Sequence, residues 1–148
     1  MSYKVVDEEF KVVGLKGIGD FVNFGNEVPS LAKQLLSRSN EIENPTIEEI
    51  ALFEPKKDET HTSGHYYVGL TMNEKLEAVP AGMDYIEINS RFATTRGAIA
   101  DIKELHSSLL IWAEGQGYHR DSDAYIIETY HPLAGGGEEV QIYLPIQM

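Results

Sequence analysis

Apolar positions recur along this chain with two different periods, and the switches between them mark its elements. Residues 3 to 18, YKVVDEEFKVVGLKGI, carry strand-like valines interrupted near Asp7–Glu9. From Val28 the pattern changes, and Val28, Leu31, Ala32 and Leu35 fall at helical spacing, predicting a helix over 28–38. Pro29 is tolerated in its first turn. Asn44 precedes Pro45 and marks the far limit of that segment. IALF (50–53) predicts a short strand, EPKKDETHTSG (54–64) a polar loop, and HYYVGLTM (65–72) a strand. After the connector 73–82, MDYIEI (83–88) and RFATTRG (91–97) predict two more strands. Ala98, Ile102, Leu105, Leu109 and Trp112 then mark one face of a long helix that stops in the glycines of EGQG, 114–117. DAYIIETY (123–130) and EVQIYLPI (139–146) are the last strands, joined by a turn at PLAGGG.

The order strand, helix, strand, strand therefore occurs twice. Identity between the halves is weak, so the repeat rests on layout alone. It predicts an α+β fold built as one domain over 1–148, with a first βαββ unit at about 3–72 and a second at about 83–146. Two such units side by side would place both helices on one side of an antiparallel sheet.

Side chains alternate across a strand, so each strand shows two different faces. Val140, Ile142, Leu144 and Ile146 share one face of the last strand, and Tyr66, Val68, Leu70 and Met72 one face of HYYVGLTM. These aliphatic faces suit helix packing. The opposite faces carry Gln141 with Tyr143, and Tyr67 with Gly69 and Thr71, which suit a pocket better than a core. In YIIETYHP (125–132) a single carboxylate, Glu128, shares a face with Ile126 and Tyr130. A buried charge needs a partner. If that face joins Tyr67 and Tyr143, Glu128 looks into a concave aromatic site. A structural tyrosine–carboxylate network, or an edge strand with Glu128 in water, fits the same spacing.

Composition narrows the field. The net charge is −12, from 12 basic and 24 acidic residues, and the basic residues do not cluster. That argues against nucleic-acid binding by this chain and favours cationic over anionic ligands. No apolar run has the length of a membrane span, and MSYKVVDEEF lacks the pattern of a signal peptide, so the expectation is a cytoplasmic protein that is not membrane-bound. There is no cysteine, which excludes thiol chemistry, thiolate metal sites and disulfides. His61 and His65 have a spacing that would suit a metal on a helix, but they lie in a loop with Gly64 and lack a third ligand; no metal and no cofactor is expected. His106 reads as a surface residue of the second helix, and His119 and His131 as ordinary polar residues near turns. PLAGGGEE lacks the lysine and following helix of a phosphate-binding loop.

HYYVGLTM, then GMDYIEINSRFATTRG, a helix ending LLIWAEGQGY, then AYIIETY and EVQIYLPI together resemble the GyrI-like small-molecule-binding domain. That domain also occurs as the effector-binding half of AraC-type and MerR-type multidrug regulators. The resemblance spans essentially the whole chain and is clearest over 65–146. It implies two βαββ units in a pseudo-twofold arrangement with a ligand cleft between them, binding bulky hydrophobic compounds, cationic ones among them. Glu128 matches the family's acidic anchor on the penultimate strand, Tyr143 its tyrosine on the last strand, Tyr67 (or Tyr66 in a slipped register) an aromatic of the third strand, and Trp112 the tryptophan near the end of the second helix. Tyr130 joins the set by parity with Glu128. The chain opens in its first strand without a helix-turn-helix segment, so the expectation is a stand-alone, bacterial-type form with no transcription-factor role.

Three functions are consistent with these residues. The first is binding of a hydrophobic or aromatic small molecule, with aromatic rings and Glu128 attracting a cation. The second is hydrolysis of cyclopropane-bearing alkylating compounds in the same cleft, as the resemblance implies for some stand-alone members. Glu128 would activate water there and Tyr67 or Tyr143 would steady the oxyanion. The third is an inhibitor or interaction protein for a larger enzyme. A homodimer is compatible with all three.

Overall fold

The computed structural model describes residues 2–147. Eight principal elements follow one another: β1 (Lys4–Asp20), α1 (Phe24–Ser37), β2 (Pro45–Phe53), β3 (Ser63–Met72), β4 (Asp84–Ala98), α2 (Ile102–Gly115), β5 (Ile126–Pro132) and β6 (Glu138–Pro145). The fold is α+β, with antiparallel strand pairing throughout. The sheet is also closed, a feature the sequence reading did not address. Its strands close into a barrel in the order β1-β3-β2-β5-β6-β4.

Closure follows from two long strands. β1 pairs β3 through Val12–Asp20 and β4 through Lys4–Gly14. The predicted strands 83–88 and 91–97 are one continuous strand, because Asn89 and Ser90 stay paired with Glu9 and Glu8. On the other side, β2 pairs β5 with Ala51 opposite Glu128. Gly14 and Gly69 face each other across β1 and β3. A Cβ at Gly14 would collide with the Val68 carbonyl oxygen, and one at Gly69 with that of Val13, so the backbones approach closely there only because both residues lack side chains.

The alternation of side chains sorts the core into three clusters. Phe10, Val12, Ile50, Leu52, Phe92, Ile127 and Tyr143 fill the barrel interior. On the outer face, Val28 and Leu35 of α1 pack with Val13, Val68 and Leu70. Leu105 and Leu109 of α2 pack with Ala93, Val140 and Ile142. Both helices therefore lie on the same face of the sheet. α1 rests mainly on β1 and β3, and α2 mainly on β4 and β6. The central strands β2 and β5 lie between the two helices, and that gap is the site.

Candidate functional site

A cavity of about 850 Å³ opens between α1 and α2. Its volume falls in the range usual for small-molecule pockets. Phe24, Val28 and Ala32 of α1 form one wall, and Ile99 in the turn before α2, with Ile102 and His106 of α2, forms the other. The floor is read directly from strand register. One row across the sheet is Val68, Ala51, Glu128 and Ile142, and the next is Leu70, Glu49, Tyr130 and Val140. Ala51, small and fully buried, lies opposite Glu128 across the strand pair.

Glu128 is 6% exposed. Burial of a carboxylate is tolerated here because both oxygens are bonded. The Tyr130 hydroxyl donates to Oε1 at 2.5 Å. His106 Nε2 lies 2.6 Å from Oε2. An ionised carboxylate has no proton to give, so Nε2 is the donor in that contact. Burial, and then the charge of Glu128, push the Tyr130 hydroxyl well above its ordinary range, so it remains a donor. Glu49, across the strand pair from Tyr130, has its carboxyl raised by burial and then by the nearby charge of Glu138. Glu49, Glu128 and Glu138 all border the cavity, against Lys33 and Lys103 on its helical walls. Ionised, the three carboxylates outweigh the two lysines.

Two of the five residues expected at the site, Glu128 and Tyr130, line its floor. The other three lie elsewhere. Tyr67 and Tyr143 sit on the opposite face of the sheet, because Glu128 has the parity of the aliphatic faces and not of the tyrosine faces. Tyr143 is sealed in the barrel interior, with Phe10 and Phe92 ring centroids at 5.0 and 5.7 Å. Burial, ahead of the charge of Glu8, pushes its hydroxyl up to about 12. Tyr67 donates to Asp84 at 3.2 Å and meets Tyr125 and His65 edge-on. Its hydroxyl is raised to about 12 by burial first and then by Asp84. The expected meeting of Glu128 with these two tyrosines is thus corrected: the cavity is on the helix side. Trp112 stacks on Tyr3 at 5.5 Å. It stands six residues after His106, about 120° round α2 and about 9 Å along it, and so turns away from the cleft.

His106 is the residue that sequence reasoning placed on the surface. It shares its side of α2 with Ile102, one turn earlier, and that spacing was the signal available. His61 and His65 both bind Glu54, at 3.4 and 3.0 Å, and His65 Nε2 also meets the Tyr125 hydroxyl at 2.7 Å. Among the described residues no group of three or more His, Asp or Glu is placed to hold a metal ion. No helix among them is long and apolar enough to cross a membrane.

The GyrI-like small molecule binding domain matches residues 1–147, and the chain belongs to that family. A search of curated protein sequences finds no match. Among solved structures, the fold is similar to that of SAV2435, which was determined bound to tetraphenylphosphonium. The two share 13% identity and a TM-score of 0.72, over 99% of this chain and 94% of that one. It is similar also to the EcmrR C-terminal domain, with 16% identity, a TM-score of 0.68 and 99% of each chain covered. A hydrolase encoded by lin2189 from Listeria innocua gives 13% identity and a TM-score of 0.56, over 98% of this chain and 91% of that one.

Proposed function

We propose that this protein binds bulky hydrophobic, aromatic organic cations in the cleft between α1 and α2, with Glu128 as the counter-charge. Two βαββ halves related by a pseudo-twofold axis would frame that cleft, each supplying one helical wall and one floor strand. The observation that carries the reading is a buried carboxylate on the floor of a largely apolar cavity of about 850 Å³. Phe21, Phe24 and Phe53 offer ring surface at the same cavity, which suits a ligand both aromatic and cationic. The tetraphenylphosphonium held by SAV2435, a protein of the same fold, is a ligand of this chemistry. Calorimetric titration with tetraphenylphosphonium tests the proposal. Saturable binding that weakens about tenfold or more in Glu128→Gln is expected, the loss of about 1.4 kcal/mol that removal of one through-space charge attraction in a partly desolvated site can account for. Absence of binding, or equal affinity in the variant, would remove Glu128 from the role.

The His106–Glu128 pair favours one second reading, hydrolysis of a strained electrophile in the same cleft. With Nε2–H directed to Glu128, which itself accepts the Tyr130 hydroxyl, His106 would use Nδ1 to take a proton from the water that attacks the electrophile. Product exceeding enzyme in moles from a cyclopropane-bearing alkylating compound would establish turnover. Hydrolysis no faster than in buffer leaves binding as the function.

A further inference from the structure

Glu128 meets the cavity with one short hydrogen bond already made to each of its oxygens, and this bears on which cations it accepts. The inference rests on the proposed role of Glu128 as counter-charge. Oε1 takes the Tyr130 hydroxyl at 2.5 Å and Oε2 takes His106 at 2.6 Å. The Glu128 side chain is 8% exposed, so the lone pairs left on its oxygens are largely shielded, and a third donor gains full access by displacing one of the first two. Tyr130 is packed among residues of both helix-side clusters and is held by its ring. His106, by contrast, has a side chain 34% exposed on α2. It is the partner that can move.

We infer that His106 is a specificity-determining residue, which makes the cleft select bulky organic cations without N–H groups over protonated primary amines of similar bulk. A phosphonium or quaternary ammonium ion interacts with Glu128 through space. It brings no donor that must be satisfied, and its apolar surface meets the phenylalanines and aliphatic side chains of the walls. A primary ammonium brings three N–H donors that lose water on entry. It must then evict His106 from Oε2, or leave donors unpaired in an apolar cavity, and either course opposes binding. Glu49 and Glu138 are the other carboxylates at the cavity, and that of Glu49 is already disfavoured as an anion by burial and by Glu138.

The test compares tetraphenylphosphonium with 3,3,3-triphenylpropylammonium on the whole chain by competition calorimetry. The wild type is expected to bind the phosphonium at least about tenfold more tightly. His106→Ala frees Oε2 and should bring the ratio close to one by a gain in amine affinity. His106→Gln restores a donor at similar reach and should return most of the preference. Circular dichroism of both variants checks that the barrel is intact. An unchanged ratio in His106→Ala, or a wild type that prefers the amine, overturns the inference. Amine binding that is lost in Glu49→Gln and unmoved by His106→Ala would identify Glu49 as its acceptor and overturn it as well. Glu128→Gln separates the two levels. If that variant holds the phosphonium as well as wild type, the counter-charge reading itself fails. If it weakens the phosphonium while the His106 ratio stays fixed, only the present inference fails.

Discussion

Tyr130→Phe removes one oxygen and leaves the ring in place, which makes it a clean probe of how the buried carboxylate is held. The hydroxyl donates to Glu128 Oε1 at 2.5 Å. Glu128 is only 6% exposed, so water cannot readily take the vacated position. Hydrogen bonds to charged groups contribute about 1.5–3 kcal/mol, and a buried acceptor left short of a partner costs about as much. The variant should therefore lose about 1.5–3 kcal/mol, or roughly 4–9 °C in Tm for a domain of this size. Urea denaturation followed by circular dichroism measures the loss. A double-mutant cycle with Glu128→Gln assigns it to the pair. If the bond to the ionised carboxylate is the cause, the same Tyr130→Phe change should cost less when Glu128→Gln is already present, with a coupling of about 1 kcal/mol or more. Additive single and double variants, or a loss under about 0.5 kcal/mol, would refute the account of how Glu128 is stabilised.

Two further outcomes follow from the geometry. Glu49 has its carboxyl raised by burial and by Glu138, so the fold favours its protonated form, and the ionised form opposes folding once pH rises through the raised value. Glu49→Gln should accordingly raise Tm at about pH 7 and change it little near pH 3.5, and a loss at about pH 7 in thermal melts would contradict the assigned cause. Tyr143 lies inside the barrel, with Phe10 and Phe92 packed around it. Tyr143→Phe should leave tetraphenylphosphonium affinity within about twofold of wild type, since the hydroxyl has no path to the cleft; a loss of about tenfold in titration would place it at the site after all.

Much of the architecture was legible because it depends on local periodicity. The helical spacing of Val28, Leu31, Ala32 and Leu35, and of Ile102, Leu105 and Leu109, located both helices. Alternation correctly separated the two faces of β3 and β6. Closure of the sheet was not legible, because it depends on pairing between β1 and β4, which lie some 80 residues apart in sequence and have no local signature. The site shows the same division. Glu128 and Tyr130 were found because a carboxylate in an apolar strand is conspicuous from sequence alone. The error concerned which face was hollow. Tyrosine-bearing faces suggested a pocket, but rings that pack edge to edge fill a barrel well, as Phe10, Phe92 and Tyr143 do. His106 escaped notice because a lone histidine among polar neighbours on a helix reads as solvent-facing. Only the position of β5 beneath α2 gives it a carboxylate to bind.

The barrel also explains why the cleft lies outside the sheet and why its walls are independent. With the interior filled by its own core, space for a ligand can exist only where the helices fail to cover the outer face. α1 is anchored in one cluster with β1 and β3, and α2 in another with β4 and β6. The floor strands β2 and β5 belong to the closed sheet and are fixed by pairing on both sides. The width of the gap is thus set by two separate helix–sheet contacts rather than by packing of one helix on the other. A ligand that presses on one wall strains chiefly the cluster that anchors that helix, the two clusters meeting at Tyr130. Glu128 sits on the rigid part, hydrogen-bonded from the floor by Tyr130 and from the wall by His106. The charge is therefore held in place while the apolar walls meet ligands of differing shape, a combination that suits a binder selecting its ligands by charge and bulk more than by outline.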